Sequence, residues 1–242
     1  MATTRASATA RMPSILSALQ RAYPEATCSL AYTTALELLV ATILSAQCTD
    51  VLVNKVTPGL FAKYRSARDY AKARLSSLER DLSRVNFYRN KAKSIQGACR
   101  MILREFGGRV PRRMEDLVRL PGVARKTANV VLGNAFGMQV GIVVDTHVMR
   151  LSQRLKLTRQ TDRDKIEQDL MALVPPTQRT RFGHRMIAHG RAVCTAKAPK
   201  CGDCPIGVSL CPSYHTFRNT PTPRMRVTRS GAPTPARSRR RR

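Results

Sequence analysis

The stretch from Thr34 to Gln47, TALELLVATILSAQ, constrains the fold more than any other part of the chain. From Leu38 to Leu44 it is apolar nearly all round, and a helix with no polar face has to be buried among other helices. Thr34 and Glu37 stand at capping-box spacing and mark where that helix begins. The run is far shorter than the roughly 18 residues that span a bilayer. Elsewhere apolar residues recur at helical spacing and almost nothing alternates with period two, so the expected fold is all-α.

Around that centre the spacing predicts further helices. Pro13 and Ser14 open SILSALQRAY, which stops before Pro24; Asp50 caps VLVNKVT, which Pro58 and Gly59 break. SARDYAKA and LSSLERDLSRV carry charge pairs at helical spacing. A turn at Asn86 and Phe87 precedes the amphipathic YRNKAKSIQGACRMILREF, stopped by Gly107 and Gly108. MEDLVRL, DTHVMRLSQRL, TDRDKIEQDLMALV and a basic segment from about 176 to 193 complete the set, with no internal repeat.

Residues 117–147 bring two chemically useful groups to helix starts. Leu120-Pro121-Gly122-Val123-Ala124-Arg125-Lys126 ends one helix, turns, and begins another with Lys126 in its first turn. First-turn N–H groups are unpaired and point outward, so they hold a phosphate oxygen without help from a side chain. A strand-like run, Val140 to Val144, then delivers Asp145 to an N-cap position ahead of Thr146 and His147. An electropositive helix start disfavours an ammonium, and Arg125 adds like charge, so the free amine that can attack carbon becomes accessible at Lys126. Taken alone, the turn also reads as an ordinary helical hairpin with a solvated lysine and a capping aspartate. The two segments together argue for chemistry.

LPGVARKTANVVL and VDTHV closely resemble the endonuclease III family, whose pattern is LPGVGRKTANVVL followed by VDTH; the second glycine of the hairpin is Ala124 here. LSAQCTD, residues 44–50, resembles the family's LSAQ-x-TD loop, and VNFYRNKA, residues 85–92, stands in place of its GLYNSKA loop, with Phe87 where the family has leucine. The resemblance covers about residues 13–213. It implies the helix-hairpin-helix glycosylase architecture: a six-helix barrel over 28–139, a second lobe of 13–27 plus 140–214, and an active site in the cleft between them. It further implies a base-excision DNA glycosylase with abasic-site lyase activity, acting on oxidised pyrimidines in duplex DNA. In that scheme Lys126 is the nucleophile that forms a Schiff base and Asp145 the essential carboxylate. Gln47 enters the gap left by the extruded nucleotide, and Phe87 wedges against the orphaned base, since something must fill the broken stack. Gly122, Val123, Ala124, Arg125 and Thr127 form the phosphate-holding hairpin. Two rivals are weighed against this. A monofunctional adenine glycosylase of the same superfamily lacks the lysine and carries an extra C-terminal domain. A non-enzymatic helix-hairpin-helix DNA-binding protein with a four-cysteine zinc site leaves Lys126, Asp145 and Gln47 without a purpose.

Seven cysteines fall into two groups: Cys28, Cys48 and Cys99 are scattered, and Cys194-x6-Cys201-x2-Cys204-x6-Cys211 form a cluster. An odd total with isolated members argues against a disulfide framework and for a reducing compartment. Four thiolates hold either zinc or a four-iron cluster; zinc sites with four cysteines usually use two CxxC knuckles, and only one is present. By resemblance the cofactor is a [4Fe-4S] cluster with a structural role, although the family's last gap is five residues. It would tie down the loop that presents Lys197 and Lys200 to phosphates.

The charge balance points the same way: 43 Lys and Arg against 15 Asp and Glu, a formal +28, suits a polyanionic partner. A membrane-surface protein would instead need a basic amphipathic helix with a rich apolar face. Arg179 to Lys200 holds six basic residues, Arg191 among them, and no carboxylate, a track that positions DNA without reading sequence. Residues 215–242, with nine arginines, four prolines and no acid, are expected to be a disordered cationic tail, and residues 1–12 a disordered leader. No apolar segment follows the N-terminal arginines, so no secretory signal is expected. The expected protein is a monomer in the bacterial cytoplasm, on the nucleoid, or in an organelle if the Arg-, Ser- and Thr-rich start is a transit peptide.

Overall fold

The computed structural model describes residues 7–217. The expected leader and tail lie outside the described residues except for 7–12 and 215–217: Ser7 caps a helix that takes in 8–12, and 215–217 are helical as well, where disorder was expected.

Helix α1, Ala8–Ala22, begins well before Pro13 and is capped by Ser7, whose side chain accepts from the Ala10 N–H at 3.2 Å. Pro13 sits inside this helix on its exposed side while Met12, Ile15, Leu16 and Leu19 are buried. Thr9, whose carbonyl loses its donor to the proline, is itself exposed, and packing of the apolar face outweighs the loss. Helix α2, Ala35–Ser45, carries the reciprocal Thr34/Glu37 capping box, and every residue from Leu38 to Leu44 is buried. Helix α3, Asp50–Lys63, is capped by Thr49 rather than Asp50. It continues through Pro58 and Gly59 because those two face solvent while Val53, Thr57 and Leu60 pack inward. Ser66 and Asp69 form a second capping box on α4, Ala67–Lys72, which α5, Leu75–Asp81, follows. Helix α6, Tyr88–Glu105, ends where Gly107 and Gly108 turn left-handed and the Gly108 N–H donates to Ile102 O at 3.0 Å. Short α7, Met114–Leu117, leads into the hairpin turn and α8, Arg125–Ala135.

Helices α2 to α8 surround one hydrophobic core running from Leu30 to Leu132, with α2 packed against α3, α6 and α8. A second core joins α1 to the C-terminal half: α9, Thr146–Arg154; α10, Arg163–Leu173; α11, Arg179–Ala192, entered by a 3-10 turn at Pro176–Gln178; and the short α12, Gly207–Leu210, and α13, Tyr214–Phe217. No strand occurs among the described residues. Residues 140–144, expected to be strand-like, form an irregular connector that crosses from one core to the other and sinks Ile142 and Val144 into the second.

Candidate active site

The hairpin turn is fixed by Gly122. Its φ is +78°, the left-handed region that favours glycine, and a Cβ there would stand 2.7 Å from the Ser94 side chain of α6. The turn closes with the Val123 N–H donating to Leu120 O at 3.0 Å, and α8 then starts from Ala124 without any side-chain cap. The N–H groups of Arg125, Lys126 and Thr127 have no acceptor among the described residues. Three uncapped amides beside an exposed lysine make an anion cradle at the mouth of a helix.

Helix α9 starts in the opposite way. Asp145 Oδ1 accepts from the N–H groups of His147 and Val148, both at 2.8 Å, which locks the carboxylate in place and leaves Oδ2 without a partner among the described residues. Lys126 and Asp145, 19 positions apart in sequence, line one cleft of about 980 Å³, part of it open solvent. The walls come from both cores: Thr42, Ser45 and Val130 on one side, His184, Ile187 and Arg191 on the other.

Two loops at the edge of the first core carry residues in a backbone conformation that costs free energy. Gln47 has φ +53° and Phe87 φ +57°, and Phe87 leaves 60 % of its surface exposed. Left-handed geometry at a residue with a large side chain persists only where the surroundings impose it. Here Asn86 Nδ2 donates to Gln47 O at 2.9 Å, joining the two loops, and the buried Lys91 donates from Nζ to Leu44 O at 2.7 Å and Ala46 O at 2.6 Å.

A family model described as "HhH-GPD superfamily base excision DNA repair protein" matches residues 40–176, which span the hairpin, both loops and Asp145. The chain belongs to the HhH-GPD superfamily. It is 57 % identical to endonuclease III of Synechocystis sp. over 203 residues, covering 84 % of this chain and 92 % of that protein. It is 48 % identical to endonuclease III of Bacillus subtilis over 190 residues, covering 78 % of this chain and 86 % of the relative. Among solved structures, a non-covalent endonuclease III–DNA complex superposes with a TM-score of 0.81 at 44 % identity, covering 86 % of this chain and 97 % of that one. A trapped endonuclease III–DNA covalent intermediate superposes equally well, with the same identity and coverage.

Within this HhH-GPD chain three expected DNA contacts, Val123, Arg125 and Arg191, have partners inside the protein. Val123 is buried in the first core and its N–H is taken by the turn. Arg125 donates to Glu167 on α10, Nε to Oε2 at 2.7 Å and Nη2 to Oε1 at 3.3 Å, so its charge is balanced by a carboxylate and does not crowd Lys126 uncompensated. Glu167 is one of several acids in TDRDKIEQDLMALV, and nothing in the sequence sets it apart from the others. It is buried, and it also accepts from Asn129 Nδ2 at 2.9 Å and the Ile142 N–H at 3.3 Å, pinning the hairpin helix and the connector to α10. Arg191 lines the cleft and pairs with Asp50 Oδ2 at 3.0 Å, an oxygen that also accepts from Ser29 Oγ at 2.6 Å.

The four clustered cysteines line a single cavity with an empty volume of about 440 Å³, partly open to solvent, with Leu151, Leu155 and Ile206 among its apolar walls and Arg154, His189 and Lys200 among its polar ones. Burial pushes the thiols of Cys201 and Cys211 upward, and the neighbouring sulfurs add to it, so these two stay protonated without a cation and would give up their protons only to a bound metal. Two arginines of α9 reach this loop. Arg150 donates to Cys194 O at 3.0 Å and to Gly190 O at 3.0 Å; Arg154 donates to Cys194 Sγ at 3.3 Å, Thr195 O at 2.7 Å and Ala196 O at 2.9 Å. Lys197 and Lys200 stand exposed on the loop so held.

Proposed function

We propose that the chain is a bifunctional DNA glycosylase and abasic-site lyase that removes oxidised pyrimidines from duplex DNA. The observation that carries the reading is the pair of helix starts meeting in one cleft: Lys126 beside uncapped amides, and Asp145 held by its own helix. Gly122, Ala124 and the α8 amides hold a backbone phosphate, which brings the sugar of the extruded nucleotide between the two side chains. As the bond from C1′ to the base breaks, positive charge develops on the deoxyribose, and the Asp145 carboxylate stabilises it. The Lys126 amine forms a bond to C1′, the sugar ring opens to an imine, and loss of a C2′ proton expels the 3′ phosphate oxygen, cutting the strand. Gln47 and Phe87 fill the hole left in the duplex, and Arg191, Lys197 and Lys200 lie along the backbone. Lys126 in the cleft favours this reading over a monofunctional adenine glycosylase and over a non-catalytic DNA-binding protein.

What supports a [4Fe-4S] cluster is that four cysteines line one cavity with an arginine donor on one sulfur, although among the described residues no three potential ligands stand close enough together to hold a metal ion. Cys194, Cys201, Cys204 and Cys211 would hold it, and its contribution is to cross-link the loop rather than to react. The protein is further proposed to act as a monomer in the bacterial cytoplasm, on the nucleoid; no described helix is long and apolar enough to cross a membrane.

The test is a division of labour. Borohydride should trap a covalent adduct between the wild-type protein and damaged duplex. Lys126→Ala should abolish the adduct while retaining DNA binding through the hairpin amides. Asp145→Asn should still attack a pre-formed abasic site but lose about 10² to 10³ in base removal, as when one charge-stabilising group is lost from a reacting centre. A wild-type yield of adduct in Lys126→Ala would refute the assignment.

A further inference from the structure

One polar group in the cleft is not used by the reaction just described. His184, on α11, lines the same cavity as Lys126 and Asp145. Its Nε2 lies 2.7 Å from Asn134 Oδ1. The Asn134 amide is oriented by its other end, since Nδ2 donates to Val130 O at 2.8 Å. The oxygen therefore faces the imidazole, and Nε2 has to be the protonated nitrogen. Burial lowers the pKa of this histidine from its ordinary 6.5, which keeps the ring neutral at pH 7. A neutral ring with its proton on Nε2 has a bare Nδ1. That atom has no partner among the described residues, and it is not among the buried polar atoms that lack one, so it is open to the cleft.

The neighbouring hydroxyls have their protons committed as well. Thr42 Oγ1 donates to Leu38 O at 2.7 Å and Ser45 Oγ to Thr42 O at 2.9 Å, so both turn lone pairs rather than protons to any further partner. Asp50 Oδ2 is occupied by Ser29 and Arg191. The side chains of Thr42, Ser45 and Asp50 therefore offer acceptors, while Lys126, Arg191, the Thr27 hydroxyl and the Cys28 and Cys48 thiols are the donors of this cleft.

A fixed acceptor selects for a base that offers a donor. Pyrimidines derived from thymine or uracil carry a proton on N3; those derived from cytosine have a bare N3 unless they are protonated. We propose that His184 is a specificity-determining residue whose Nδ1 accepts a hydrogen bond from N3–H of the extruded base, favouring thymine- and uracil-derived lesions over cytosine-derived ones. This rests on the glycosylase reading above. Asn134 is then a positioning residue, acting through the histidine tautomer.

The experiment measures single-turnover excision from duplexes containing 5,6-dihydrothymine or its N3-methyl analogue, with cleavage of an abasic site measured in parallel. The wild type should discriminate against the N3-methyl base, and part of that discrimination is steric. His184→Phe keeps the ring but removes the acceptor, and should shrink the discrimination by roughly 3- to 10-fold, the worth of one hydrogen bond between neutral groups. Asn134→Leu, which frees the tautomer, should shrink it in the same direction and serves if the phenylalanine variant does not fold. Discrimination identical in the wild type and in a folded variant overturns the proposal, as does a loss that falls equally on the two bases and the abasic site. A wild-type protein that cannot cleave an abasic site at all refutes the glycosylase–lyase reading instead, so the two failures are separable.

Discussion

Replacing Glu167 tests whether the hairpin helix is held in place by one buried carboxylate. The side chain is 4 % exposed and receives Arg125, Asn129 Nδ2 and the Ile142 N–H. Glu167→Ala strands the last two donors in the interior, and a buried donor without a partner costs about 1 to 3 kcal/mol. Breaking a buried ion pair by removing one partner costs about 3 to 5 kcal/mol. Arg125 is 40 % exposed, so water recovers part of its charge and the low end applies. The two figures overlap because both count the same carboxylate, and a total near ~3 kcal/mol is expected. Glu167→Gln keeps the acceptor for Asn129 and Ile142 while losing the charge facing Arg125, so about 1 to 2 kcal/mol is expected for it. Urea unfolding reads the loss as a lowered midpoint at unchanged m-value. Abasic-site cleavage measured well below that midpoint reads the misplacement of Lys126. If Glu167→Ala unfolds within about 0.5 kcal/mol of the wild type, in the range of an ordinary surface substitution, the network is not what holds α8 to α10.

Phe87→Ala should slow excision from an intact duplex more than cleavage of a pre-exposed abasic site, and Asn86→Ala should follow it, because the Asn86 bond joins the wedge loop to Gln47; equal losses on both substrates would reduce Phe87 to packing. Purified protein should contain about four irons per chain with broad thiolate-to-iron absorption, and Cys201→Ser should lower both iron content and DNA affinity; stoichiometric zinc without iron would refute the cluster. Removing residues 218–242, which contribute nine arginines and no acid, should weaken binding to any DNA and flatten its salt dependence while leaving lesion preference as it was; titrating log Kd against log salt measures this.

The sequence made most of this visible wherever a local rule decides. Thr34 and Glu37 start α2, Gly107 and Gly108 stop α6, and Asp145 caps α9, each through bonds between residues close in the chain. The same local logic failed at Pro13 and Pro58, where an exposed proline is outweighed by apolar neighbours packing against distant helices. What could not be read were groups whose partners lie far along the chain. Glu167 meets Arg125 and Asn129 across 42 and 38 positions, Lys91 meets Leu44 across 47, and His184 meets Asn134 across 50. A lysine or glutamate on a helix looks the same in sequence whether it faces water or a carbonyl from another element. Only the positive φ at Gln47 and Phe87 had a partial signal, since Asn86 and Phe87 already suggested a turn.

The bare start of α8 has a consequence for what counts as the complete structure. A serine or aspartate at position 124 would cap the helix and steady the free protein by about 1 kcal/mol. That side chain would then occupy the amides that a phosphate needs. Alanine leaves Arg125, Lys126 and Thr127 with donors that no other described residue satisfies, so the missing hydrogen-bond partner of this helix belongs to another molecule. If the hairpin holds DNA as proposed, DNA is linked to folding as well as to catalysis: any duplex, damaged or not, would finish the first turn of α8 and by mass action shift the folding equilibrium toward the native state before a lesion is ever found.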